Sequence, residues 1–328
     1  MPQKINIADE EYEVIDAKER ITVPDCFVGP HNKIGTGHGE AKLYLGQRKD
    51  DTFTFFDNLE RTCFFIKSDI INYLNQVKLE YFNPQQPYRK KEELRKDWGK
   101  YYKKAHGLPT EIMKFSLEFQ GHLKGPRFYL NSKNFIYLFL RKISLPNITY
   151  LSALKLKNKK GDILYYFKLF VDYFGEEALP QVIKEEESEI ESKSIKDEIK
   201  EQIVIARKGQ GKYRKGVLNE CPFCPITLVS DDRLLIASHI KPWVKSNDKE
   251  KTDPKNGFMF TPTYDFMFDR GFISFRDDKT ILISPWLSKM TLSKLNLKPD
   301  RKYNLLLING REKYLEYHRK NIFKGGSS

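Results

Sequence analysis

The chain runs to 328 residues, 40% of them hydrophobic and 13% aromatic, which allows two domains with packed cores and excludes wholesale disorder. No apolar run nears the roughly 20 residues that span a bilayer, and the opening MPQKINIADEEYEVID has no apolar signal-peptide core, so a cytoplasmic protein with no membrane partner is expected. Lys and Arg number 57 against 44 Asp and Glu, a net charge of +13. Such a surface attracts polyanions through counterion release, although a lysine-rich proteome produces the same bias.

In chain order, AKLYLGQ (41–47), DTFTFF (51–56) and RTCFFI (61–66) read as strands, being β-branched and aromatic runs parted by charged turns. SDIINYLNQV (68–77) has helical apolar spacing, with Ser68 as the expected N-cap. Residues 90–105 read as a helix, PRFYL (126–130) and NFIYLFL (134–140) as strands, and ILYYFKLFVDYF (163–174) as a buried helix. The glycine-rich KIGTGHGE (33–40), which follows His31 and contains His38, lacks the Gly-Lys-Ser/Thr ending of a phosphate loop and reads as a turn.

Between Arg89 and Lys104 lie eight basic residues against three acidic ones, interleaved with Trp98, Tyr101 and Tyr102. One reading gives Arg89, Lys90, Lys91, Arg95, Lys96 and Lys100 to DNA phosphates, with some aromatic stacking. The other is a solvated charged helix that buries its aromatics, and the sequence leaves both open.

Residues 184–201, KEEESEIESKSIKDEIKE, are highly charged and free of aromatics. They divide the chain into a first, mixed α and β domain (1–183), a charged linker or helix (184–200), a second domain (201–323) and a disordered tail (324–328). In the second domain RLLIASHI (233–240) reads as a strand, SNDKEKTDPKNG (246–257) as a charged loop and FMFTP as a second strand. TYDFMFDRG (263–271) has helical spacing closed by Gly271, FISF and TILIS form a hairpin around Asp277-Asp278, and residues 310–323 form a closing amphipathic helix.

The motifs ASHIKPW (237–243), DPKNGFMF (253–260), YDFMFDRG (264–271) and ISF (273–275) resemble the HNH endonucleases, in the branch common among bacterial restriction enzymes. RKGQGKYRKGVL (207–218) is similar to that branch's lead-in and KYLEYHRKNIF (313–323) to its closing helix, so the likeness covers about residues 200–323. It implies an α+β protein: an N-terminal mixed α/β recognition domain followed by a C-terminal ββα-metal nuclease.

The resemblance implies that His239 is the general base, that Asn256 tethers the loop orienting it, and that Asp265 is a metal ligand for Mg²⁺ or Mn²⁺. Asp269, one turn on, is either a second ligand or a salt-bridge partner of Arg270. Ser238 stands where many relatives place a metal-binding Asp or His, so either its hydroxyl or a water fills that position, or the metal is held mainly by the helix. Lys241 and Arg270 are candidate DNA contacts. Cys221-Pro-Phe-Cys224 resembles half of a zinc knuckle, but Thr261 and Tyr264 occupy the places of the second pair, so no structural zinc is expected. His318 is assigned to packing or anchoring.

The resulting expectation is a sequence-specific restriction-type deoxyribonuclease acting on double-stranded DNA as a homodimer, with a methyltransferase encoded nearby. A modification-dependent nuclease, a non-catalytic DNA-binding protein on a degenerate scaffold, and a toxin acting on RNA or host DNA are the alternatives.

Overall fold

In a computed structural model the described residues are 3–36, 41–47, 54–56, 61–116, 118–121, 127–171 and 211–325. The chain forms two compact units: residues 1–174 with 285–291 and 326–328, and residues 175–284 with 292–325. The expected linker, 184–200, lies outside the described residues. Among those described, no helix is long and apolar enough to cross a membrane.

Unit 1 is built on a six-stranded sheet in the order β1-β2-β8-β9-β4-β5. Its strands are β1 (Lys4–Ile7), β2 (Glu10–Thr22), β4 (Cys63–Ile66), β5 (Ile112–Phe115), β8 (Thr149–Lys157) and β9 (Ile163–Val171). All neighbours are antiparallel except β4 and β9, which run parallel. A separate three-stranded sheet places β7 (Arg127–Asn131) between β3 (Leu43–Gln47) and β6 (Glu118–Gly121).

Both faces of the larger sheet are covered, and the strands alternate between two cores as their period of two requires. Cys63, Phe65, Leu151, Ala153, Tyr165 and Phe167 face the first core. Phe64, Ile66, Leu154, Leu156, Tyr166 and Phe170 face the second, where Trp286 also packs. This corrects the reading of 163–174 as a buried helix. A strand buried on both faces shows an unbroken apolar run, and aromatic and β-branched side chains then favour the sheet.

The helices of unit 1 are α1 (Lys67–Gln76), α2 (Lys78–Phe82), α3 (Lys91–His106) and α4 (Phe135–Ile143). Three further expectations change. NFIYLFL is helical, because Asn134 accepts a hydrogen bond from the Ile136 amide as N-cap and Ile136, Tyr137, Phe139, Leu140 and Ile143 bury one stripe. Residues 54–56 of the expected strand 51–56 are a helical turn that buries Phe55 and Phe56. Helix α1 begins at Lys67 without a Ser68 side-chain cap, since the Glu111 carboxylate takes the Ser68 amide (3.0 Å) instead.

In unit 2, β10 (Ile236–His239) pairs antiparallel with β11 (Gly257–Phe260), and α6 (Pro262–Asp269) follows directly. The intervening charged stretch is not simply loop, for it contains α5 (Asp248–Thr252), closed by a capping box between Asn247 and Glu250. The hairpin β12 (Ile273–Phe275) and β13 (Ile281–Ile283) and the closing helix α7 (Glu312–Asn321) complete the unit. Lys324, expected in a disordered tail, is held: its amide donates to the Gly271 carbonyl (2.8 Å) and its carbonyl accepts from Ser284 Oγ (2.6 Å). Residues 326–328 lie outside the described residues.

Gly271 ends α6 at φ +71°, and a Cβ there would collide with the Ile322 carbonyl oxygen. Both the left-handed backbone and the close approach demand glycine. Gly271→Ala is therefore expected to destabilise the protein by about 2 kcal/mol or more. Urea unfolding would measure this, and unchanged stability would show that the turn relaxes freely.

Candidate functional site

The site begins with how β10 is held. The Arg214 guanidinium donates to the carbonyls of Leu235 (2.8 Å) and Asp232 (2.6 Å), fixing the chain as it enters the strand. Pairing then sets His239 opposite Gly257 and Ser238 opposite Phe258. Ser238 and His239 are thus the last two residues of the strand, Ser238 buried and His239 half-buried.

His239 is half-buried beneath Tyr213, whose ring stacks on the imidazole at 3.9 Å and 11° between planes, while Trp243 meets it edge-on at 5.6 Å. Nε2 lies 3.1 Å from the Lys251 carbonyl. A carbonyl only accepts, so Nε2 carries the proton and Nδ1 keeps its lone pair. Burial holds the imidazole pKa below its usual value, partly offset by the Lys251 carbonyl, so the ring is neutral at pH 7.

Lys251 is placed by Asn256, which is fully buried. Its Oδ1 accepts from the Lys241 amide (2.8 Å), and its Nδ2 reaches the carbonyls of Lys241 and Glu250 (both 3.1 Å) and Ser246 Oγ (3.3 Å). One amide thus pins the turn after β10 and the helix α5 that offers the carbonyl to His239. The Lys241 ammonium pairs with Glu250 (2.6 Å), so this candidate DNA contact also ties down the loop.

Tyr213 donates its hydroxyl to the Asn256 carbonyl (3.0 Å). A Cβ on residue 257 would collide with that hydroxyl, which explains the Asn256-Gly257 pair without any left-handed backbone. Arg311 is fully buried; it donates Nε to the Gly257 carbonyl (3.0 Å), pairs with Glu220 (2.9 Å) and lies over the Phe258 ring. Glu220 also binds Lys255 (2.9 Å). Roles for Tyr213, Glu220 and Arg311 were missed in the sequence. Tyr213 sits in the lead-in motif, but its stacking on a residue 26 positions later leaves no local signal.

The buried Ser238 donates a hydrogen bond to the Asp265 carboxylate, whose charge is also felt by Tyr213, the ring stacked on His239. Asp265 lies in the first turn of α6 and Asp269 one turn later. Burial raises the Asp265 carboxyl pKa, Ser238 opposes this, and the neighbouring charge of Asp269 raises it further. Desolvation raises the Asp269 carboxyl pKa, and the Arg270 charge opposes it. Arg270 lies across the Phe266 ring at 5.4 Å. Among the described residues no three His, Cys, Asp or Glu side chains are grouped to hold a metal. The oxygen donors here are two carboxylates and one hydroxyl, the chemistry that suits Mg²⁺ or Mn²⁺.

The remaining candidates have structural surroundings. Cys221 and Cys224 are fully buried. His318 is buried against Phe268, with its Nε2 on the Phe268 carbonyl (2.9 Å) and its Nδ1 facing Ser274 Oγ (3.0 Å). In unit 1 the Asp25 carboxylate accepts from the amides of Ile34 (2.6 Å) and Gly35 (3.2 Å), filling any phosphate cradle that stretch could offer; residues 37–40, His38 included, lie outside the described residues. The α3 aromatics serve packing: Tyr101 is buried, and Trp98 donates to the Leu74 carbonyl (2.8 Å) and stacks on Tyr102. Arg89, Lys90, Lys91, Arg95, Lys96 and Lys100 are exposed.

A strand ending in a held, neutral histidine, an antiparallel partner entered through a buried asparagine, and a helix bearing carboxylates define a ββα nuclease module. Residues 224–276 match the family model described as HNH endonuclease. The C-terminal part of the chain thus carries an HNH endonuclease domain, a family of nucleases acting on DNA. No curated protein matches the chain.

His318 gives this domain a pH signature. Burial lowers its pKa to about 4 from an unfolded value near 6.5. The unfolded state therefore binds more protons between these values, so the contribution is complete above pH 6.5 and is lost as pH falls towards 4, about 3 kcal/mol in all. Urea melts across pH 4–7 are expected to show this slope in the wild type and to lose it in His318→Gln; equal slopes would contradict the buried neutral state.

Proposed function

We propose that the protein is a restriction-type endonuclease that hydrolyses double-stranded DNA at a specific sequence. The observation that carries this reading is His239, whose Nε2–H is committed to the Lys251 carbonyl and whose Nδ1 is left to take a proton. A neutral imidazole with one nitrogen fixed and the other basic is suited to deprotonating water beside a phosphodiester.

In this reading His239 Nδ1 removes the proton of the attacking water. Asn256 keeps α5 in place, and Tyr213 and Trp243 restrict rotation of the imidazole. Asp265 and Asp269 would hold a divalent cation, Mg²⁺ or Mn²⁺, with the Ser238 hydroxyl steadying Asp265. Such an ion supplies charge neutralisation at the phosphate and the leaving oxygen. Arg270 caps the C-terminal end of the helix that bears the carboxylates and extends the cationic surface for DNA, whereas Lys241 would have to share its charge with Glu250.

The first unit would then be the sequence reader. The solvent face of α3, with Arg89, Lys90 and Lys91 at its start and Arg95, Lys96 and Lys100 along it, suits phosphate contact without base specificity. A single HNH centre cuts one strand, so paired cuts at a symmetric site call for two copies of the chain. A restriction role further implies a protecting methyltransferase encoded nearby.

Cleavage of plasmid and genomic DNA, modified and unmodified, with Mg²⁺ or Mn²⁺ tests this. Wild type is expected to yield discrete fragments, and His239→Ala to fall by about 10²–10⁴-fold, the usual worth of a general base. Tyr213→Leu is expected to be impaired by roughly tenfold as the imidazole gains freedom, and Asp265→Ala to lose metal-dependent cleavage. Tight DNA binding with no cleavage of any substrate would overturn the enzyme reading.

A further inference from the structure

Unit 1 contains a cleft of about 570 Å³, remote in sequence from the nuclease motifs and lined by Arg20, Thr22, Asp25, Gln86, Asn147 and Tyr150 among others. Three features of this cleft go together.

The first is backbone strain. Arg20 has φ +41° and Asn147 φ +71°, two non-glycine residues in the left-handed region at one cleft. Such conformations persist where the surroundings impose them, and they gather at binding sites. The second is a bulge. The ladder between β2 and β8 shifts register between Lys18 and Ile21, and the Arg20 amide donates to Ser152 Oγ (3.3 Å) rather than to a regular ladder partner. Bulges re-aim side chains, and this one lays the Arg20 guanidinium over the Tyr150 ring at 5.3 Å. The third is an amide pair. Asn147 Nδ2 donates to Gln86 Oε1 (3.1 Å), a bond that uses neither Gln86 Nε2, a donor, nor Asn147 Oδ1, an acceptor.

These features define the ligand. A planar guanidinium backed by an aromatic ring offers a stacking surface, and a donor beside an acceptor complements the edge of a nucleobase. The one carboxylate in the lining, Asp25, is committed to the amides of Ile34 and Gly35, so the cleft is not a cation site. A base paired within a duplex cannot present both its face and its pairing edge to such a cleft. We propose that the cleft takes a single nucleobase turned out of the DNA stack, with Arg20 against its face and the Gln86–Asn147 pair on its edge. This rests on unit 1 being the DNA reader of the nuclease described above.

The test uses the full chain, in chelator to prevent cleavage, and one labelled duplex in three forms: fully paired, with a single unpaired nucleotide (each of the four bases in turn), and with an abasic residue in its place. The unpaired form of at least one base is expected to bind roughly tenfold or more tightly than the paired form, because unstacking no longer opposes binding. The abasic form should lose that gain. Asn147→Gly tolerates the positive φ while removing the amide, and Gln86→Leu removes the donor from a separate segment. Both are expected to bring the unpaired duplex down to the paired level with thermal stability intact. Equal binding of all three forms, or a gain that survives both substitutions, overturns the cleft. If plasmid cleavage still depends on His239, that result leaves the nuclease reading standing; a base-dependent gain without any cleavage does the reverse.

Discussion

The side chain on which the nuclease module depends is the amide of Asn256. It is fully buried, and both its oxygen and its nitrogen are engaged by the turn at Lys241, Ser246 and α5. Each bond contributes about 1 kcal/mol net, but stranding the buried partners would cost about 1–3 kcal/mol apiece. An aspartate of the same shape would set a second acceptor oxygen against the carbonyls of Lys241 and Glu250, turning attraction into repulsion. The amide is therefore required as both donor and acceptor, and it acts at a distance, through the Lys251 carbonyl, on which nitrogen of His239 is basic.

Around that amide the domain places charge unequally. On the His239 side the partners are neutral: two aromatic rings and a carbonyl. On the α6 side two carboxylates sit one turn apart, an arrangement that costs a bare helix a few tenths of a kcal/mol and raises the Asp265 pKa further. Arg311, by contrast, is a buried cation with a dedicated anion, Glu220, and it braces the Gly257 carbonyl at the start of β11. The paired charges thus support the frame, while the mutually repelling carboxylates stand where a bound cation would relieve them.

Much of the second unit was legible because its signals are local. His239 at a strand end, Asn-Gly before the next strand and Gly271 closing a helix each follow from a few neighbouring residues. The first unit was read less well because its determinants are long-range. ILYYFKLFV is a strand because β4 and β8 lie on either side of it. NFIYLFL is a helix because Asn134 caps it and a core receives its stripe. Partnerships such as Tyr213 with His239, or Glu111 with the start of α1, join residues tens of positions apart and leave no periodic trace.

The larger sheet of unit 1 also explains how its strained positions persist. With both faces buried, β2 and β8 cannot relax at their shared bulge without disturbing two cores at once. Left-handed φ at a non-glycine residue costs on the order of 1–3 kcal/mol, which a loose loop would shed by local rearrangement. Here Arg20 is held by Ser152 on the neighbouring strand, and Asn147 precedes β8, whose Thr149 hydroxyl is hydrogen-bonded to Tyr73 (2.7 Å) in the core. Strain anchored to rigid strands keeps side chains within the narrow tolerance that recognition requires. The same rigidity that hid β9 from local pattern therefore gives the cleft at the ends of β2 and β8 a fixed shape before any ligand arrives.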